Sequence, residues 1–566
     1  MKPMLRGFFK VLLLVSLVSL TKADSSCNKT CSTTSCNTCS TTCSTTPCNT
    51  NQSICNDTCN VNKCDGDVFG KTHYSMRPQD LNGARKLVGV KDKIHLYGKD
   101  EFYGVVSLGL MYQQTFDSKK LGRWFSFSRT FTTSTSSSNC CNTSCSTDCN
   151  RSNCMTYGNK CDGTFDIYGA NFGTTNSGTI CFNPQIRNFI ADFDLWMGWD
   201  EFVCGLWTRI GVPVNYTKWD LRACDSNSTS TLSTFTAGFM GTVDAGTVNG
   251  FGSLLQGWAG TAFGSVPGLT CGKICGSRKD TQVAALHFDL GYDFYSCERG
   301  HVAASLHFVA PTGTKPNDEF LFNAVSGPQH MWQVGGTVDA GYQLWENCDG
   351  DQRLNIYFDA VVTHLFAAKQ NRLFGLLING QSSLGSSWLL LKTFNSSKES
   401  TGLQRAANVL CCCSKFDAGV MADVTLMLQY DCGCFSSGLG WNFWSRSREK
   451  IKEINCDLAS QNVGIKGMTP LQNADGSANN DTESKSTISK CSTTETTPVL
   501  LTNDDIDVCP ALHTSAFSNK IFGFFGYNWR DCDWQPFLLI EGGAEFGQDN
   551  RAANQWEVML KGGVAF

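Results

Sequence analysis

Beyond Leu20 the chain has no long uninterrupted apolar run. Each membrane-crossing helix needs about 20 apolar residues, so a helical membrane protein is excluded. The chain also has little net charge. A formal value of −4 leaves no excess with which to hold nucleic acid or an anionic surface. It has only 8 His, at no metal-ligand spacing. It lacks a serine-nucleophile motif, HExxH, a phosphate loop and an EF-hand. No catalytic residue, cofactor or metal site is therefore named, and no enzymatic activity is expected. No Cys follows Ala23, where Asp24 stands, so a lipoprotein anchor is not expected either.

What the chain does have begins at its N-terminus. Lys2, Arg6 and Lys10 precede the ten-residue apolar run Val11 to Leu20, and Thr21-Lys22-Ala23 supplies small residues at a cleavage site. This reads as a secretory signal peptide over residues 1–23, too short to span a membrane. All 31 Cys lie beyond it. An exported chain with so many Cys is expected to use them in disulfides, and the odd number leaves at least one free or bonded to another molecule. Cys27-Cys31-Cys36, Cys39-Cys43-Cys48 and Cys55-Cys59-Cys64 share a C-x3-C-x4-C spacing, which returns at Cys145-Cys149-Cys154. Their neighbours are Ser, Thr, Asn and Asp, with too little apolar area to offset chain entropy. Residues 24–66 are thus expected to be a disordered, low-complexity arm unless covalent links or metal order it. These segments lack the paired C-x2-C knuckles of structural zinc and contain no His, so staples or intermolecular cross-links suit an oxidising compartment better. Cys411-Cys412-Cys413 are adjacent and are expected to reach different partners.

Residues 67–98 read as a short lead-in. From residue 99 to 566 the dominant signal is strict alternation, which places side chains on opposite faces of strands. Leu286, Phe288, Leu290, Tyr292 and Phe294 stand against His287, Asp289, Gly291 and Asp293; Val302 to Ala310, Trp332 to Leu344, Leu354 to Phe366 and Ala418 to Tyr430 repeat the pattern. Many of these runs are 9–13 residues long on a count from the sequence. Soluble strands average about 5–6 residues, whereas a tilted membrane strand needs about 9–11. The expected fold is all-β: a transmembrane antiparallel β-barrel of about fourteen strands, within a range of twelve to sixteen. Long polar loops are placed at 132–163, 226–280, 395–412 and 447–515. The Gly-rich, nearly uncharged stretch 235–270 reads either as an inward-folding loop or as two further strands.

The last strand is the clearest. In Trp556–Phe566, Trp556, Val558, Leu560, Val564 and Phe566 share one parity and are assigned to lipid, while Glu557 and Lys561 share the other. With them, His287, Asp289, Asp293, His307, Asp339, Asp359 and Asp423 are assigned to the barrel lumen. Asp/His pairs serve as hydrolase groups in some barrels, yet polar inward residues are the default for a water-filled lumen.

The terminal strand, the repeated alternating runs and the Cys load resemble Gram-negative outer-membrane porins, and more specifically the cysteine-rich major outer-membrane proteins of chlamydia-like intracellular bacteria. The resemblance is architectural and covers about residues 100–566. It implies an outer-membrane location, insertion by the barrel-assembly machinery through the terminal strand, and passive diffusion of small hydrophilic solutes. It also implies disulfide links to other envelope proteins, associated in that family with wall rigidity and channel state. The second reading is a structural or adhesive protein whose barrel only anchors the Cys-rich segments.

Overall fold

A sheet built from such strands has an apolar face and two open edges, and closing it on itself removes the edges. The computed structural model describes residues 63–64, 67–99, 101–126, 153–158, 165–166, 178–225, 267–274, 276–378, 381–382, 385–398, 400–472, 478–485, 499–530 and 534–566. The signal peptide, almost all of the Cys-rich arm and most of 235–270 lie outside these residues.

Twelve strands form the wall: β1 (Tyr103–Phe116), β2 (Gln185–Gly198), β3 (Leu206–Asp220), β4 (Leu286–Cys297), β5 (Gly300–Ala310), β6 (Gln333–Glu346), β7 (Gln352–Leu365), β8 (Gly419–Cys432), β9 (Phe435–Arg446), β10 (Ala516–Asn528), β11 (Gln535–Gly547) and β12 (Asn554–Ala565). Each pairs antiparallel with the next, and β12 returns to β1 from Asn554↔Phe116 to Ala565↔Val105. Phe566 completes the seam, its N–H and C=O bonding Gly104 at 3.0 and 2.9 Å. A further strand, Ser277–Val283, lies ahead of β4 and pairs with the far half of β3.

The wall therefore has twelve strands where about fourteen were expected. The difference lies in the long connections. The links 199–205, 298–299, 347–351, 433–434 and 529–534 are short and share one end of the barrel, while all the long ones, together with the short link 548–553, share the other. Within the long ones, short strands pair among themselves outside the wall. Ala368–Leu373, Cys411–Asp417 and Lys450–Glu453 form one such sheet. Leu390–Phe394, Ser400–Arg405, Val463–Gln472 and Ala478–Lys485 form another. The described parts of 395–412 and 447–515 are thus not plain loops but pieces of a cap. Its core includes Phe374, Trp388, Leu391, Leu410, Phe416, Val463 and Ile465.

Disulfides tie the cap: Cys271–Cys411, Cys412–Cys456 and, near the start of β2, Cys154–Cys181. Cys509 is also disulfide-bonded. Adjacent Cys411 and Cys412 reach different partners, and Cys413 is an exposed free thiol. Of the repeat cysteines, Cys64 falls in the two-residue strand Lys63–Cys64. Cys27, Cys31, Cys36, Cys39, Cys43, Cys48, Cys55, Cys59, Cys145 and Cys149 lie outside the described residues.

Wall parity is the inverse of a soluble protein. Along β12, Gln555, Glu557, Met559 and Lys561 are buried, whereas Trp556, Val558 and Leu560 face outward and are exposed. Val564 is half-buried, and Phe566 packs against Phe102 and Trp534. Outward aromatics collect at both rims. Trp332, Phe517, Phe546 and Trp556 lie toward the long-loop end, and Tyr342, Trp345, Tyr430, Phe435 and Trp534 toward the short-turn end, with aliphatic residues such as Leu306, Leu426, Ile540 and Leu560 between. Bands of this kind match membrane interfaces.

Candidate functional site: a lumen filled by the chain itself

Residues 67–98, read from the sequence as a lead-in, occupy the inside of the barrel. Asp67 to Thr72 sit at the long-loop end. There Asp67 pairs with Arg123, the Val68 N–H donates to Asn550 Oδ1, Lys71 Nζ donates to Cys509 O, and Thr72 Oγ1 donates to Leu373 O. The chain then descends through the lumen and leaves at the short-turn end, where Tyr97 is 58% exposed before β1 begins. Nearly every residue between is buried.

One turn of helix stiffens this plug. Gly83–Leu87 is capped by Asn82, whose Oδ1 accepts from the Arg85 N–H at 3.2 Å. A Cβ on Gly83 would collide with Thr425 and Asp423 of β8, so the glycine permits the close approach of helix to wall. At the other end of the helix, Lys561 Nζ donates to the carbonyls of Arg85 and Val88 at 2.8 and 2.9 Å. A wall cation thereby satisfies carbonyls that a helix terminus leaves open.

Charge holds the plug in place. Arg77 pairs with Asp423 at 2.5 Å and Glu545 at 3.2 Å, Arg85 with Asp192 at 2.5 Å, and Lys86 with Asp359 at 3.7 Å. Lys91 pairs with Asp339, His95 lies 2.7 Å from Asp293, and Asp80 of the plug lies 3.3 Å from His287. Asn82 Nδ2 reaches Glu557 at 3.5 Å, and Arg209 donates to the carbonyl of Lys86. Such pairs stay fixed because removing one partner strands a buried charge, at about 3–5 kcal/mol. Beside the helix a void of about 10 Å³, bordered by Arg77, Gln79, Asn82, Gln113 and Lys520, has room for roughly one water.

All nine residues assigned to the lumen sit on inward-facing positions, but seven of them meet the plug instead of open water: His287, Asp293, Asp339, Asp359, Asp423, Glu557 and Lys561. Asp289 and His307 pair with each other at 2.6 Å. Ser305 Oγ lies beside the Asp289 carboxylate. The carboxylate thus stands between hydroxyl and imidazole, the wrong order for a relay in which the imidazole takes the serine proton.

The sequence reading passed over the plug and its partners Asp192, Arg209 and Glu545. A signal was present. Residues 67–98 carry six basic residues (Lys71, Arg77, Arg85, Lys86, Lys91, Lys93) against three acidic ones (Asp67, Asp80, Asp92), and the inward positions of the wall are rich in Asp and Glu. Also passed over were His95 and His301, whose ring nitrogens lie with an Asp339 oxygen inside one 4.8 Å cluster.

Free thiols divide unevenly. Among the described residues, Cys204, Cys297, Cys348, Cys432 and Cys434 lie in or beside four of the short links, while Cys224 and Cys413 lie toward the long-loop end. Cys532 belongs by sequence to the fifth short link and lies outside the described residues.

No family model matches the chain, and no curated protein matches it. Among solved structures, an outer-membrane channel from Pseudomonas putida F1 is similar at 10% identity and TM-score 0.33, over 82% of this chain and 96% of that one. The translocator domain of the autotransporter NalP from Neisseria meningitidis is similar at 6% identity and TM-score 0.27, over 86% and 95%. The NanC porin is similar at 8% identity and TM-score 0.22, over 67% and 93%. The barrel assignment itself rests on the closed strand order of this chain.

Proposed function

We propose that this protein is an outer-membrane barrel closed by its own N-terminal segment, which anchors a disulfide-tied cap and the Cys-rich arm 24–66 at the cell surface. The path of residues 67–98 carries this reading. Asp67 and Lys71 lie at the long-loop end of the barrel, and the proposal places the arm on that side. In outer-membrane barrels the longer loops face outward and the short turns face the periplasm. Export would use the signal peptide 1–23, insertion would use the assembly machinery reading Trp556–Phe566, and lipid would cover the outward apolar band. The thiols on the short links would serve disulfide contacts to periplasmic envelope proteins. No catalytic role is assigned.

The second reading keeps the porin. Densely charged inward positions suit diffusion of small hydrophilic solutes, provided that the plug leaves. Two measurements separate the readings. An epitope placed in the arm should be labelled on intact cells, and the full chain should give no conductance steps in a planar bilayer while running as a heat-modifiable folded barrel. An unlabelled epitope on cells that expose a cap epitope rejects surface display. Frequent steps from the full chain reject the closed anchor in favour of diffusion.

A further inference from the structure

We infer that the plug and wall together form a binding site for a divalent transition-metal ion, made by His95, His301 and Asp339. This is independent of whether the barrel conducts. The three residues come from different places: His95 from the plug, His301 from β5 and Asp339 from β6. All three are buried. One ligand atom from each lies within 4.8 Å of the others. His301 Nε2 is 2.7 Å from Asp339 Oδ1, and His95 Nε2 is 3.8 Å from that same oxygen. Ligands at about 2.0–2.2 Å from one ion stand at such separations from each other. The two imidazoles stack with centroids 4.5 Å apart and planes inclined by 16°, so the rings are held side by side and one must turn for both lone pairs to meet at the ion.

The surroundings favour coordination over a plain ion pair. His95 Nδ1 lies 2.7 Å from Asp293 Oδ1. A carboxylate only accepts there, so Nδ1 carries the proton and Nε2 presents its lone pair to the cluster. A carboxylate behind a ligating histidine fixes the ring and its tautomer in this way. Lys91 holds the second oxygen of Asp339 and leaves one for the ion. Its charge opposes a cation, and Asp293 and Asp339 offset it. The ion would replace the proton that His301 Nε2 now shares with Asp339, and that proton moves to Nδ1. Trp196 and Trp207 pack edge-on against His95 and limit its motion. Tyr97, two residues on, is exposed at the short-turn mouth and marks the route in. Two imidazoles and one carboxylate select a borderline ion such as Zn²⁺, Co²⁺ or Ni²⁺ over Mg²⁺ or Ca²⁺.

The test uses the full chain, folded in detergent, stripped with chelator and with its thiols alkylated so that cysteine cannot ligate. Titration with Co²⁺ should give a saturable visible d–d band at one ion per chain, displaced by Zn²⁺ and not by Mg²⁺. His95→Gln and His301→Gln should each weaken Co²⁺ at least tenfold while heat-modifiable migration persists. Asp293→Asn, which leaves the three ligands in place, should weaken it about tenfold to a hundredfold. A folded chain with no saturable band overturns the site. So does a band that both His variants leave unchanged.

Discussion

Replacing Arg77 by Met tests the closed lumen directly. Arg77 sits between Asp423 and Glu545, and the side chains of the three are 6%, 1% and 3% exposed. Methionine keeps most of the bulk and removes the charge, so two carboxylates lose their cation. Breaking a buried pair costs about 3–5 kcal/mol. The lower end applies here because each carboxylate keeps another donor: Asn442 Nδ2 lies 2.6 Å from Asp423, and Gln555 Nε2 lies 2.7 Å from Glu545. A loss of about 3 kcal/mol from the plugged state raises the unplugged population about a hundredfold, at 1.4 kcal/mol per factor of ten. In a planar bilayer the variant should open in steps where the parent chain is quiet. The triple variant R77M/D423N/E545Q removes the stranded charges and should return toward the quiet state. An R77M barrel that is folded and as silent as the parent refutes the reasoning. So does a triple variant that opens as often as R77M.

Two further outcomes follow from other parts of the molecule. Leu560 faces outward near the middle of β12, so Leu560→Arg should cost about 2–4 kcal/mol of folding in lipid vesicles; an unchanged urea midpoint would place that face away from lipid. In the cap, His513 stacks on Trp124 at 4.5 Å, and its backbone N–H donates to Glu449 at 2.9 Å. Burial, aided by nearby Arg446, pushes the His513 pKa well below its ordinary 6.5. The unfolded chain therefore binds the proton first, and His513 stabilises the cap fully above about pH 6.5 and progressively less as pH falls. Burial alone would raise the Glu449 carboxyl, but Arg372 and Arg446 outweigh it and hold the group below its ordinary 4.5. Glu449 thus adds a second loss in the same direction at more acid pH. Protease nicking of the cap should rise between pH 7.5 and 5.5 in the parent and less so in His513→Gln; equal slopes would reject the role of His513.

Much of the wall was legible because alternation is a local property. β4 to β8 and β12 show it cleanly. β2 and β9 do not, and both were missing from the alternating runs. Ile186, Ile190 and Trp196 of β2 and Trp444 of β9 are apolar yet face inward. They pack into the buried apolar clusters inside the barrel, with Trp196 against Tyr103 of β1 and His95 of the plug. An inward apolar residue breaks the period that identifies a barrel strand. The observed twelve lie at the lower edge of the expected range of twelve to sixteen. Strands such as Cys411–Asp417 pair within the cap and add nothing to the wall, and that choice depends on partners in other segments of the chain.

The inward residues show where the boundary falls. Asp339, Asp423 and Lys561 read as lumen-facing from parity alone, because neighbouring side chains on a strand point to opposite faces whatever surrounds them. What they face was not in the strand. A carboxylate opposite water and a carboxylate opposite Arg77 have the same local sequence. Only the passage of residues 67–98 back through the closed barrel decides between them. The sequence by itself determined a β wall with apolar residues outward and polar residues inward. The tertiary structure decided that this wall encloses its own chain, because the pairing of a basic plug with an acidic lumen joins segments separated by hundreds of residues, such as Arg77 with Asp423.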